Sequence, residues 1–171
     1  MFMSRRPLRG GRRKTADRDA RGAAAVEFAL VTTFVLLPIL FGIISYGLVF
    51  AAQLSMNAAA RDAARAGVVQ PLNGTALTCQ QIATRARDNS ATVGLTTGKV
   101  AVSVSGPTGT ACSVAAGSST YLGSPTAQLC LNAASGGQVS VKLTYAPTSP
   151  TPFVPLPSSL GSNGKFQCEY S

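Results

Sequence analysis

The chain has 171 residues, with 15 Lys and Arg against 6 Asp and Glu, no His, four Cys and a formal net charge of +9. Without histidine there is no imidazole base, and the acids Asp62, Asp88 and Glu169 are widely spaced with no partnered nucleophile, which argues against an enzyme. There is also no glycine loop of the P-loop or dinucleotide type, so neither a cofactor nor a small-molecule substrate is expected.

The positive charge is concentrated at the start of the chain. Residues 1–22 hold Arg5, Arg6, Arg9, Arg12, Arg13, Lys14, Arg18 and Arg21 against only Asp17 and Asp19. A basic block directly ahead of an apolar run is a membrane-orientation signal. An arm that binds nucleic acid is the weaker reading, because no aromatic residue interleaves with the arginines after Phe2.

From Phe28 to Ala52 the sequence carries no charged side chain. A helix of that length rises about 37 Å, enough to cross a hydrocarbon core of about 30 Å with some tilt. Pro38 lies inside it, removes one backbone donor and is expected to bend the helix. The positive-inside rule places the residues before the span in the cytoplasm and everything after Gln53 outside. A cleaved secretory signal is the competing reading, but its apolar stretch is usually shorter than this one. Arg5-Arg6 lies too far from the apolar run to make a good twin-arginine signal.

Glu27 is a lone carboxylate at the edge of the apolar run, a costly place for a charge without a partner or a task. In one reading it sits at headgroup level, near a helix N-terminus whose dipole favours it. In the other it serves a specific contact one helical turn away.

Beyond the span, Gln53 to Val69 is alanine-rich and continues the helix until Gly67 and Pro71. Arg61 and Arg65 share one face, with Asp62 beside Arg61, and are expected to be solvated or to touch headgroups. Thr78-x-x-Gln81 has the form of a capping box and predicts a second helix from Cys79 to about Asn89. Val100, Val102 and Val104, and later Val139, Val141, Leu143 and Tyr145, alternate with small or polar residues and predict two paired strands. Residues 106–137 are rich in Gly, Ser, Thr and Ala and suggest a long loop or weak hairpin. The five prolines from Pro147 to Pro157 favour an extended surface segment, and Phe166 to Tyr170 is expected to return as an edge strand.

Cys79, Cys112, Cys130 and Cys168 all follow the span. In an exported domain, four cysteines suggest two disulfides. A four-thiolate zinc site is the lesser reading, since there is no CxxC pair. Three pairings are possible. Cys112 with Cys130, closing the central loop, and Cys79 with Cys168, tying the second helix to the tail, is the favoured one. The expected fold class is therefore α+β: a long N-terminal helix, transmembrane and continuing outside, packed on a small antiparallel sheet in a disulfide-braced external domain. The expected division is 1–22 as a basic cytoplasmic leader, 23–69 as the long helix with its span at 28–52, and 70–171 as the external domain.

The stretch RGAAAVEFALV from Arg21 to Val31, the apolar run ending in FGIISYGLVFAAQ, and then NAAARDAARAG resemble the TadE family of pilin-like proteins of the tight-adherence, Flp-type IV pilus machinery. The resemblance covers Arg21 to Gly67, with looser agreement beyond. It implies that a prepilin peptidase cuts after Gly22, leaving Ala23 as the new N-terminus and Glu27 as the fifth residue of the mature chain. The carboxylate of Glu27 would then meet the amine of a neighbouring subunit and set its register. The pilins of this system pair their glutamate with tyrosine. Phe28 departs from that pattern and suits a minor, pilin-like subunit better than the main pilin.

The resemblance therefore implies a minor pseudopilin that helps to build a Flp-type pilus. Its expected partners are membrane lipid, a prepilin peptidase, other pilin-like subunits and the assembly platform, and its expected location is the bacterial inner membrane, possible passage into the fibre being left open. The alternative is an uncleaved membrane anchor that presents an external binding module.

Overall fold

The computed structural model describes residues 13–69, 76–91, 95–107, 109–131, 136–148 and 155–169. The chain divides into two units, Met1–Ile43 and Ile44–Ser171. The element order is α1 (Arg13–Val31), a π-helical turn (Thr32–Leu36), α2 (Leu37–Val68), α3 (Cys79–Ser90), a short 3-10 turn (Thr97–Lys99), β1 (Val100–Gly106), β2 (Gly109–Val114), β3 (Tyr121–Gly123), β4 (Gln138–Tyr145) and β5 (Leu160–Gln167). Gly22–Val68 is a helix of 47 residues, long and apolar enough to cross a membrane.

In the first unit the large apolar side chains point outward. Phe28 and Phe34 are each 73% exposed, and Val26, Leu30, Leu37, Ile39 and Ile43 are exposed with them. A continuous apolar surface of this kind needs lipid or another protein to cover it. Pro38 cannot donate to Phe34, and the π-helical turn lies immediately before it, with the Leu37 N–H bonding to the Thr32 carbonyl. The ladder thus accommodates the proline by widening by one residue, a known response of helices at such points.

In the second unit α2 buries Ala52, Met56, Ala59, Ala60, Ala63, Ala64, Gly67 and Val68, a stripe at helical spacing. The helix packs with α3 on an antiparallel sheet of order β3-β2-β1-β4-β5. The two valine-rich strands pair as their alternation predicts, with Val102 opposite Leu143 and Val104 opposite Val141. Their inward residues, with Cys112, Val114 and Leu160, form the core beneath the helices.

The small residues of α2 let the sheet approach very closely. Ser162 Oγ donates to the Met56 carbonyl at 3.1 Å. A Cβ on Gly164 would overlap the backbone of Ala60 and Arg61, so glycine is required there.

The capping box is formed as the sequence predicts. Gln81 N–H donates to Thr78 Oγ1 at 3.4 Å, and Thr78 N–H to Gln81 Oε1 at 2.9 Å. The helix it starts buries Cys79, Ile82, Ala83, Ala86, Arg87 and Ser90.

Three expectations change. The stretch 106–137 is more than a loop or weak hairpin: β2 pairs with β1 across a tight connection in which Gly109 takes φ 124°, and β3 adds a short edge. The returning strand is Leu160–Gln167 rather than Phe166 to Tyr170, and it pairs with β4 along its whole length. At position 164 its sequence has glycine where a β-branched residue would help to mark a strand, because the backbone of α2 leaves no room for a side chain. Tyr170 lies outside the described residues, as do Pro71, residues 1–12 of the leader and residues 149–154 of the expected extended segment.

The third change is the disulfide pairing, which is Cys79 with Cys112 and Cys130 with Cys168. Cys112 is an inward residue of β2, and α3 starts directly over that strand, which brings Cys79 to a Cα–Cα distance of 6.1 Å. Cys130 meets Cys168 at 5.6 Å just after β5, where the Cys168 N–H bonds to the Gly137 carbonyl.

Candidate processing and assembly site

The residues singled out by sequence, Gly22, Ala23, Glu27 and Phe28, all lie on α1 and are all exposed. Ala23 and Glu27 are four residues apart, one turn of the helix, and project from the same face. Gly22 is the one glycine of α1, and an added Cβ there would meet nothing within 4 Å. Glycine is about 1 kcal/mol poorer than alanine inside a helix, so Gly22 weakens α1 locally. Phe28 presents a ring beside the carboxylate rather than a phenol, so this position brings no second polar group to the turn.

The structure also displays contacts that the sequence reading did not identify. Asp62 is engaged by α3 rather than by Arg61: it accepts from Arg85 Nε at 3.0 Å and from Asn89 Nδ2 at 2.7 Å. Arg61 and Arg65 are exposed, as expected.

Arg87 is only 9% exposed and donates to three carbonyls, Val100 at 2.9 Å, Ser118 at 2.8 Å and Ala115 at 2.5 Å. It therefore holds the turn after β2 against the start of β1. The available signal was its place on the stripe of Ile82, Ala83 and Ala86, where an arginine must satisfy its donors internally. Tyr46 donates its hydroxyl to the Pro155 carbonyl at 2.8 Å, and Gln53 donates to the Gly161 carbonyl at 2.9 Å. Nothing in the local sequence joins those pairs, which are more than a hundred residues apart.

Among the described residues no group of three His, Cys, Asp or Glu is placed to hold a metal ion. The surface depressions are open; one is lined by polar residues of α3, including Gln81, Thr84, Arg85 and Asp88.

No curated protein and no solved structure matches the chain significantly. Residues 22–65 match the family model described as TadE-like protein. The match begins on Gly22 and runs through Glu27 and the apolar run into the buried alanine stripe of α2. This family is associated with Tad/Flp pili and is structural in character. The TadE-like segment thus lies on a 47-residue helix apolar enough to span a membrane, in a chain whose second unit carries two disulfides.

Proposed function

We propose that this chain is a minor, pilin-like subunit of a Flp-type IV pilus system, inserted with its basic leader in the cytoplasm and trimmed by a prepilin peptidase after Gly22. The observation that carries the reading is the coincidence of the family match with the processing pattern: the match opens on Gly22, with Ala23 next and Glu27 one turn further. The cytoplasmic placement of residues 1–22 is supported by their dense positive charge, and the placement of the second unit outside by its two disulfides.

Once trimmed, the chain would begin with the α-amine of Ala23. Glu27 would then be the one charged side chain between Ala23 and Ala60, and the amine of an adjacent subunit is its natural partner. A charge pair in such surroundings fixes register more than it adds stability. The apolar side chains around it supply the non-directional part of the packing. The partners that follow are the peptidase, other pilin-like subunits and the platform that moves them.

Glu27→Ala tests the register role. Membrane insertion, read by carbonate extraction, should be unchanged, while pili counted by electron microscopy should fall sharply. Normal piliation by a stably expressed Glu27→Ala chain would remove Glu27 from the assembly mechanism.

A further inference from the structure

The hydrogen bond between Tyr46 and Pro155 carries a consequence for where the second unit meets the membrane. Tyr46 is 51% exposed, with its hydroxyl bound to the Pro155 carbonyl, and two turns later Gln53 is bound to the Gly161 carbonyl. The segment from Pro155 to Gly161 therefore runs beside α2 from Tyr46 to Gln53. Residues 155–159 are irregular backbone, and such backbone does not lie in hydrocarbon exposed to lipid. The part of α2 alongside this segment is thus above the acyl chains, although Leu48, Phe50 and Leu54 still expose apolar surface there.

Helix length sets the same boundary from the other direction. Between Glu27 and Tyr46 there are nineteen residue steps, and at 1.5 Å each these rise about 29 Å, close to the thickness of a hydrocarbon core. With Glu27 at one edge of the core, Tyr46 falls at the other. A tyrosine suits that level, since its ring is apolar and its hydroxyl needs a polar partner. The chemistry of the segment fits as well. From Leu143 to Gly164 the sequence has no charged side chain. Pro155 and Pro157 are exposed and lack N–H groups that would need water, and Leu156 between them is half-buried.

We propose that Tyr46 and Pro155–Pro157 form a shelf that rests in the lipid headgroup layer, so that the lipid-embedded helix ends at Tyr46 rather than at Ala52. The occupant of this surface is the leaflet from which the second unit emerges. The inference rests on the membrane-anchored reading above.

The chain contains no tryptophan, so single tryptophans are clean depth reporters in the full-length protein reconstituted into phosphatidylcholine vesicles. The variants are Pro157→Trp at the shelf, Leu156→Trp beside it in case the first perturbs folding, Leu36→Trp in the span, and Leu122→Trp on the exposed β3 edge. Headgroup-nitroxide lipid should remove most of the emission of the shelf reporters and leave Leu122→Trp bright, while lipid brominated at mid-chain should quench Leu36→Trp most. Shelf reporters quenched by neither lipid, with Leu36→Trp quenched normally, would overturn the shelf alone. Shelf reporters quenched best at mid-chain would also overturn it. An unquenched Leu36→Trp would overturn the membrane reading and the shelf with it.

Discussion

Replacing Gly164 by alanine adds a single methyl group at the place where sheet and helix are closest. The new Cβ would lie 2.8 Å from the Arg61 backbone nitrogen and closer still to the Ala60 carbonyl, and neither is the end of a flexible side chain that could swing away. Relief requires β5 or α2 to shift, which disturbs the Ser162 to Met56 hydrogen bond and the eight-residue pairing of β5 with β4. Overpacking a rigid contact of this kind costs about 3 kcal/mol. For a domain of this size that corresponds to a fall in Tm of about 12 °C.

Gly161→Ala on the same strand is the control. There the added Cβ would meet only the Leu143 carbonyl at 4.0 Å, an ordinary contact. The two variants share the same change in side chain and strand propensity, so their difference isolates the helix contact. Thermal unfolding of the full-length chain in detergent, followed by circular dichroism with the disulfides intact, should show a large loss for Gly164→Ala and a change within about 0.5 kcal/mol for Gly161→Ala. Equal melting temperatures would refute the packing of β5 on the α2 backbone.

Arg87→Met keeps most of the side-chain volume but leaves the Val100, Ala115 and Ser118 carbonyls without their donor, and should destabilise the domain by about 3 kcal/mol. Arg87→Lys should lose less, which a parallel melting series would detect. Peptide mapping without reduction should yield Cys79 joined to Cys112 and Cys130 joined to Cys168, and peptides joining Cys112 to Cys130 would contradict the fold around β2. Removing the first bridge as the Cys79→Ser, Cys112→Ser pair should cost about 2–4 kcal/mol in the same melting assay, provided oxidising conditions preserve the second.

The parts of this fold that are legible in the sequence are those specified locally. Val100, Val102 and Val104 announce a half-buried strand by themselves, and Thr78 with Gln81 marks a helix start within four residues. The proposed processing pattern is equally local, since Gly22, Ala23 and Glu27 sit within six residues of chain.

What stays hidden depends on which elements meet. Gly164 weakens the strand signal of β5 because the partner it accommodates is Ala60, far away in sequence. The disulfide pairing follows from α3 starting over β2, an arrangement that cysteine spacing does not encode. Asp62 stands next to Arg61 in the chain, yet its partner is Arg85, because α3 packs along that face of α2. Tyr46 reads as one more residue of an apolar run until its hydroxyl is seen on Pro155.

The proposed cut between Gly22 and Ala23 in the maturation of a pilin-like subunit changes the mass and the first residue of the chain. Intact mass spectrometry of the protein extracted from membranes of cells with an active prepilin peptidase measures this directly. The wild-type chain should start at Ala23, and a Gly22→Leu variant should retain its leader. A wild-type chain that still carries its arginine-rich leader in such cells would contradict it.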